Sequence, residues 1–249
     1  KFGKFGFQVG VRAEFTNITT ELATENYKNV IDTINFFPSL FLNYEINEAN
    51  AIQTSYSRRI RRPRFWDLNP FFTFSDPRSF FSGNPTVKPE FTDSYEINYL
   101  KYWENATLSG GLFYRHTTGN ITRIRERSGE NSFVSSPRNL GIVNDYGLEV
   151  NGSLSAVKWM RLNGNINFFR SVSDTGLPND LYDNETFAFT SRLTGRFTFW
   201  DESDLQARVN YRSPRNTAQG SRRSITSVDL GWSKDFLPQK NLTLTLSVR

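Results

Sequence analysis

The sequence predicts an all-β fold, a transmembrane antiparallel up-and-down β-barrel, and three observations carry that expectation. Apolar and polar residues alternate with a period of two along about eleven segments. Most segments run about 9–13 residues, against ~5–6 for strands of soluble proteins and ~9–11 for a tilted strand that crosses a bilayer. Their connections alternate short and long, as in barrels with tight turns at one end and long loops at the other.

The first segment sets the pattern. Phe5, Phe7, Val9, Val11, Ala13 and Phe15 alternate with Lys4, Gly6, Gln8, Gly10, Arg12 and Glu14. A helix would scatter those apolar residues around its axis, whereas a strand collects them on one face. The rows continue with Leu40–Ile46, Ile52–Tyr56, Tyr95–Tyr99, Leu108–Tyr114, Tyr146–Leu154 and Leu162–Phe168. Four more follow: Phe187–Phe199, Leu205–Tyr211, Val228–Trp232 and Leu242–Val248. Short turns are expected at Asn47–Asn50, Trp103–Ala106, Ala156–Met160, Trp200–Asp204 and Phe236–Asn241. Longer loops are expected at Thr16–Asn35, Arg61–Asp93, Thr118–Ile142, Ser173–Thr186 and Ser213–Arg223. Phase slips at Leu100–Trp103 and at Gly110–Gly111 suggest β-bulges.

Composition narrows the classes. Only 37% of the 249 residues are hydrophobic, and no run approaches the ~18 apolar residues of a spanning helix. A barrel gives the same averages, because its strands turn only alternate residues toward lipid. Aromatic content is 15%, with 23 Phe. Trp103, Trp159 and Trp200 sit at short turns and Trp232 close to one, where an inner aromatic girdle belongs. Tyr56, Tyr114, Phe187 and Tyr211 lie at the opposite strand ends, where the outer girdle belongs. Cys is absent, which removes disulfides, thiolate metal sites and cysteine nucleophiles. His116 is the single histidine, and it shares parity with Leu112 and Tyr114. With no Gly-x-Ser-x-Gly and no phosphate loop, no catalytic constellation and no cofactor site is predicted. The net charge of +5 is spread over many segments, so a nucleic-acid face is not expected.

The stretch Ser55–Tyr99 carries the most specific signal. It reads Tyr56-Ser57-Arg58-Arg59, then Arg62-Pro63, Leu68-Asn69-Pro70-Phe71, Gly83-Asn84-Pro85, Lys88-Pro89-Glu90 and Tyr95-Glu96. In order and spacing this resembles the outer-membrane barrel domain of TonB-dependent receptors of the Bacteroidota. The resemblance implies a barrel of typically 22 strands filled by an N-terminal plug and energised by the TonB–ExbB–ExbD complex. On that reading the chain is the C-terminal half of the barrel, with the plug, the first barrel half and the final strand outside it. The implied activity is active uptake of a scarce ligand across the bacterial outer membrane. Siderophore, glycan, peptide and vitamin remain open. A non-transporting docking subunit and a passive porin are the alternatives.

Two arginine groups are candidates for ligand or plug contact. Arg58, Arg59, Arg61, Arg62 and Arg64 cluster where the third strand leaves the membrane, with Trp66 beside them. Their planar forks suit lipopolysaccharide phosphates, an anionic ligand or the plug, and a solvated loop face is the plain alternative. Arg192, Arg196, Arg208 and Arg212 take lumen parity on the eighth and ninth strands. They suit either passage of a solute or a salt-bridge ladder against the plug, and we favour the ladder. The same loop holds Phe65, Phe71, Phe72, Phe74, Phe80 and Phe81, expected to pack in a folded loop or onto a surface lipoprotein. Asp174, Asp180, Asp183 and Glu185 supply oxygen ligands of the kind calcium accepts, but their spacing matches no calcium loop.

Overall fold

Period-two segments leave the backbone extended and its N–H and C=O groups pointing sideways, so each must pair with a neighbour. The computed structural model describes residues 3–22, 27–71, 73–76, 78–178, 182–199, 203–236 and 242–248. Its elements are β1 (Phe5–Leu22), β2 (Tyr27–Asn47), β3 (Asn50–Arg61), α1 (Phe65–Leu68), β4 (Thr73–Asp76), β5 (Ser79–Phe81) and β6 (Glu90–Tyr102). Next come β7 (Ala106–Thr118), β8 (Ile121–Arg127), β9 (Phe133–Asn139), β10 (Ile142–Val157), β11 (Met160–Asp174) and β12 (Asn184–Phe199). The chain continues through β13 (Ser203–Arg212), β14 (Arg215–Thr217), β15 (Gly220–Arg222), β16 (Ile225–Phe236) and β17 (Leu242–Val248). Phe72, Asp180, Trp200, Asp201, Glu202 and the turn 237–241 lie outside the described residues, as does the side chain of Phe74.

Among the described residues eleven strands form one sheet in the order β1-β2-β3-β6-β7-β10-β11-β12-β13-β16-β17. Every neighbouring pair in it is antiparallel. These are the eleven predicted rows, in chain order. β1 and β17 are its edges.

Two expectations need correction. Thr16–Asn35 is no loop: β1 and β2 stay paired from Phe5↔Tyr44 up to Leu22↔Tyr27. Thr16, Ile18, Thr19, Val30, Ile31 and Thr33 are β-branched and prolong the ladder beyond the alternating stretch. The β2–β3 ladder, by contrast, ends at Ser39↔Ser57, beside Pro38, which has no N–H to donate. Neither predicted bulge exists. The β6–β7 register runs unbroken from Phe91↔Thr118 to Tyr102↔Thr107. At Gly111 a Cβ would fall 2.6 Å from the Ile97 carbonyl oxygen, so glycine there admits a close approach of strands, not an extra residue. Register shifts occur instead near two short turns, at Glu45/Asn47 and Leu154/Val157. The aromatic loop is folded, as expected: β4, β5, β9 and β8 form a second sheet at the barrel mouth.

The register fixes sidedness. Phe7, Leu148 and Leu244 are 59%, 40% and 46% exposed, so no second layer buries them as a sandwich would. Tyr56, Tyr95, Tyr114 and Tyr146 stand in one cross-strand row on that outward face. Ring centroids are 5.0 Å apart for Tyr56–Tyr95 and 6.1 Å for Tyr95–Tyr114. At the other end Trp159 lies against Phe197 and Phe199, at 6.3 and 6.1 Å. Trp232 Nε1 donates to the buried Ser203 Oγ at 2.8 Å, which satisfies the one polar atom of the ring. Two aromatic belts thus flank an apolar band. His116 keeps the outward parity and meets Asn144 Oδ1 at 2.8 Å.

Candidate functional site

The opposite face of the same strands is polar. Asn165 Nδ2 donates to Asn151 Oδ1 at 2.7 Å and to Glu149 Oε1 at 3.2 Å. Arg115 pairs with Glu96 at 3.2 Å. Arg192 Nε donates to Asn210 Oδ1 at 2.9 Å, and Asn210 donates on to Ser227 Oγ at 3.1 Å. Arg196 pairs with Asp204. Arg208 stands directly opposite Asp229, and Arg212 opposite Thr190 and Ile225. The four lumen arginines therefore share one wall of two adjacent strands.

The motif-rich loop is a scaffold. In α1, Asp67 Oδ2 accepts from the Arg64 backbone N–H at 3.0 Å, closing the first turn. Gly83 N–H donates to the Asn69 carbonyl at 2.8 Å, and Asn84 N–H to the Asp67 carbonyl at 2.7 Å. Asn139 clamps the Lys88 backbone from both sides, accepting from its N–H and donating to its carbonyl, each at 2.8 Å. Glu90, 8% exposed, takes Arg61 on both carboxylate oxygens and the Ile121 N–H at 2.9 Å. These bonds tie the segments 68–71, 83–85 and 88–90 to β8 and β9, so the motif residues hold the mouth in shape.

The predicted arginine cluster is divided by strand parity. Arg58 faces outward, with its guanidinium 5.2 Å from the Phe91 ring centre. Arg59 and Arg61 take the inward face. Arg62 pairs with Glu14 and donates to Thr16 Oγ1 at 3.0 Å, pinning the loop to β1. Trp66 is 58% exposed and edge-on to Phe65 at 5.3 Å. Asp183 accepts from the backbone and hydroxyl of Thr175, both at 2.7 Å, while Asp174 accepts from Gly176 N–H and Glu185 pairs with Arg170. The Thr175 bonds hold the Asp183 carboxyl below its ordinary pKa. The described acids of that loop are thus engaged in shaping it, and no group of three metal-ligating side chains occurs among the described residues.

Between the folded loops and the inner face lies a cavity of about 840 Å³. Small-solute sites span ~300–1,000 Å³, so this space suits a small ligand. Its floor includes Phe113, Arg115, Asp145, Asn167 and Phe169, and its rim Arg61, Arg123, Arg215 and Arg222. The Oδ1 oxygen of Asn167 lies buried in this wall with no hydrogen-bond partner among the described residues. Of the arginines predicted as contacts, only Arg61 borders the cavity. Arg123, Arg215, Gln219 and Arg222 were not singled out from sequence. Four arginines without an acid between Arg212 and Arg223 were the available signal.

A twice-girdled sheet with an apolar outer and a polar inner face defines the wall of an outer-membrane β-barrel. The chain belongs to the outer membrane protein beta-barrel family, which it matches over residues 1–249. No curated protein matches it by sequence. Among solved structures it is similar to the FrpB iron transporter from Neisseria meningitidis, at 15% identity and a TM-score of 0.66, over 99% of this chain and 39% of that one. The siderophore receptor PirA from Pseudomonas aeruginosa follows at 14% and 0.64, over 95% and 44%. The copper transporter OprC follows at 11% and 0.61, over 96% and 38%. At these identities the likeness is one of fold, and the chain spans about two fifths of each neighbour's length.

Proposed function

We propose that this chain is the C-terminal barrel segment of a TonB-dependent receptor of the Bacteroidota type, which captures a scarce solute at its mouth and imports it past a plug. The observation that carries the reading is the cavity of about 840 Å³ held between a polar lumen wall and loops locked by long-range hydrogen bonds. A passive pore has no need of so structured a mouth. Closure in a bilayer requires strands beyond β1 and β17, because open edges would leave N–H and C=O groups unpaired in hydrocarbon. A barrel of about 22 strands, filled by a plug, meets that need. The solved neighbours named as iron, siderophore and copper proteins are consistent with a solute of that size. The hydrogen-bonded and ion-paired residues of the lumen wall suit contact with a plug.

The test is genetic. A strain in which the intact protein is needed for growth on one nutrient is compared with the same strain lacking TonB. Loss of uptake without TonB is expected. Uptake that persists, together with open conductance in planar bilayers, would overturn the reading in favour of a porin.

A second reading, a docking subunit, is favoured by Phe65, Trp66 and Phe71, which are 72%, 58% and 60% exposed at the mouth. Such a ridge suits an outer-surface partner such as a lipoprotein. Co-purification of a partner that is lost in Trp66→Ala, with uptake unaffected by deletion of the whole protein, would establish it instead.

A further inference from the structure

The hairpin β14–β15 sets two positive charges against each other. Arg215 and Arg222 are direct cross-strand partners, so their side chains leave the hairpin on one face, and both line the cavity. Like charges placed so are unfavourable unless something stands between them. The other arginines of the cavity are matched: Arg61 by Glu90, Arg115 by Glu96 and Arg123 by Asp67. Asp145, the acid in the cavity wall, stands opposite Arg115. Neither Arg215 nor Arg222 has a carboxylate partner among the described residues.

The hairpin backbone is held in place over the cavity, with both arginines exposed to an arriving solute. Gln219 exchanges two hydrogen bonds with the Arg125 backbone, at 2.7 and 2.8 Å, across 94 residues of sequence. Asn216 donates its backbone N–H to Thr186 Oγ1 and its side-chain amide to the Glu185 carbonyl, both at 3.1 Å. Both ends of the arm are therefore fastened, one to β8 and one to β12. Beneath it Arg212 lies on the lumen wall, with Arg192 and Arg208 further along.

We propose that this hairpin is an anion-reading site, and that the solute taken by the cavity is a small polyanion whose carboxylates, phosphates or comparable groups seat between the Arg215 and Arg222 guanidiniums. The proposal rests on the uptake reading and narrows it. Planar forks bind such groups through two donors at once, and an anion between them relieves their mutual repulsion. A neutral oligosaccharide would leave the pair uncompensated, so the proposal favours an anionic cargo over it.

The intact protein in detergent micelles is titrated with pyranine, a small fluorescent trisulfonate, by anisotropy. Binding that weakens with salt is expected. R215Q/R222Q is expected to lower affinity about ten- to a hundredfold, the usual weight of hydrogen bonds to charged groups. R215K/R222K, which keeps charge and loses the fork, falls between. K158Q/K234Q removes the same charge at the far end of the barrel and leaves binding unchanged. The proposal is overturned if pyranine does not bind, if R215Q/R222Q binds as tightly as wild type, if K158Q/K234Q weakens binding equally, or if maltoheptaose displaces the probe. The two readings separate in cells. TonB-dependent growth that R215Q/R222Q leaves intact removes the anion site and keeps the receptor. Anion binding lost in R215Q/R222Q, in a protein whose uptake ignores TonB, keeps the site and removes the receptor.

Discussion

Glu90 is the residue on which the mouth converges. Its carboxylate joins the end of β3 to the start of β8, through Arg61 and the Ile121 N–H. Glu90→Ala leaves the Ile121 N–H without its acceptor and Arg61 with only the Ile121 carbonyl, and should cost about 1–3 kcal/mol of local stability. The check is hydrogen exchange at the Ile121 amide, which should accelerate while amides in the middle of β7 stay protected. Asp183 gives the pH counterpart. Its folded-state pKa is lowered by the bonds from Thr175, so its contribution is fully present above the ordinary aspartate value of about 3.9 and is lost as the pH falls through the lower folded value. Proteolysis within the 174–183 loop should therefore be flat from neutral to mildly acid pH and rise only under strong acid. Asp183→Asn should abolish that pH dependence. A rise already present near neutrality would contradict it.

At the scale of elements, the signature segments behave as a clamp. A Cβ on Gly83 would lie 2.4 Å from the Asn69 carbonyl oxygen and 2.6 Å from that of Trp66, both backbone atoms that cannot turn aside. Gly83→Ala should thus force α1 away from the Gly83–Pro85 turn, at a cost of about 1–3 kcal/mol, as overpacking does. Faster tryptic cleavage at Arg64 would report it, and an unchanged digest would exclude the clamp. The presence of a loop between β3 and β6 was legible from its Pro, Gly and Asn residues. Its internal sheet was not, because β5 pairs in parallel with β9, more than fifty residues away in sequence. Period-two alternation also failed to show that β1 and β2 extend together as far as Leu22 and Tyr27. There the ladder rests on β-branched residues on both faces, and a branched run has no alternation to detect.

For the whole molecule, sidedness makes the sharpest prediction. Leu112, 61% exposed on the outward face, should not tolerate charge: Leu112→Arg should cost about 2–4 kcal/mol in a bilayer, depending on depth. Asn151→Arg, on the neighbouring strand but facing the lumen, should cost much less. Urea titrations of the intact protein refolded into vesicles would compare the two. Equal costs would mean that both faces meet the same medium.

The sequence by itself determined the eleven barrel strands, their order and the face taken by the residues of each alternating row, since side-chain alternation along a strand is a local property that each segment carries within itself. It also marked the mouth as arginine-rich, yet it could not say which arginines share a space. Only the tertiary structure decided that, turning Arg58 outward, spending Arg62 on Glu14, and fastening the hairpin of Arg215 and Arg222 over the cavity. Those outcomes depend on strand register and on hydrogen bonds between residues far apart in the chain, which no local pattern encodes.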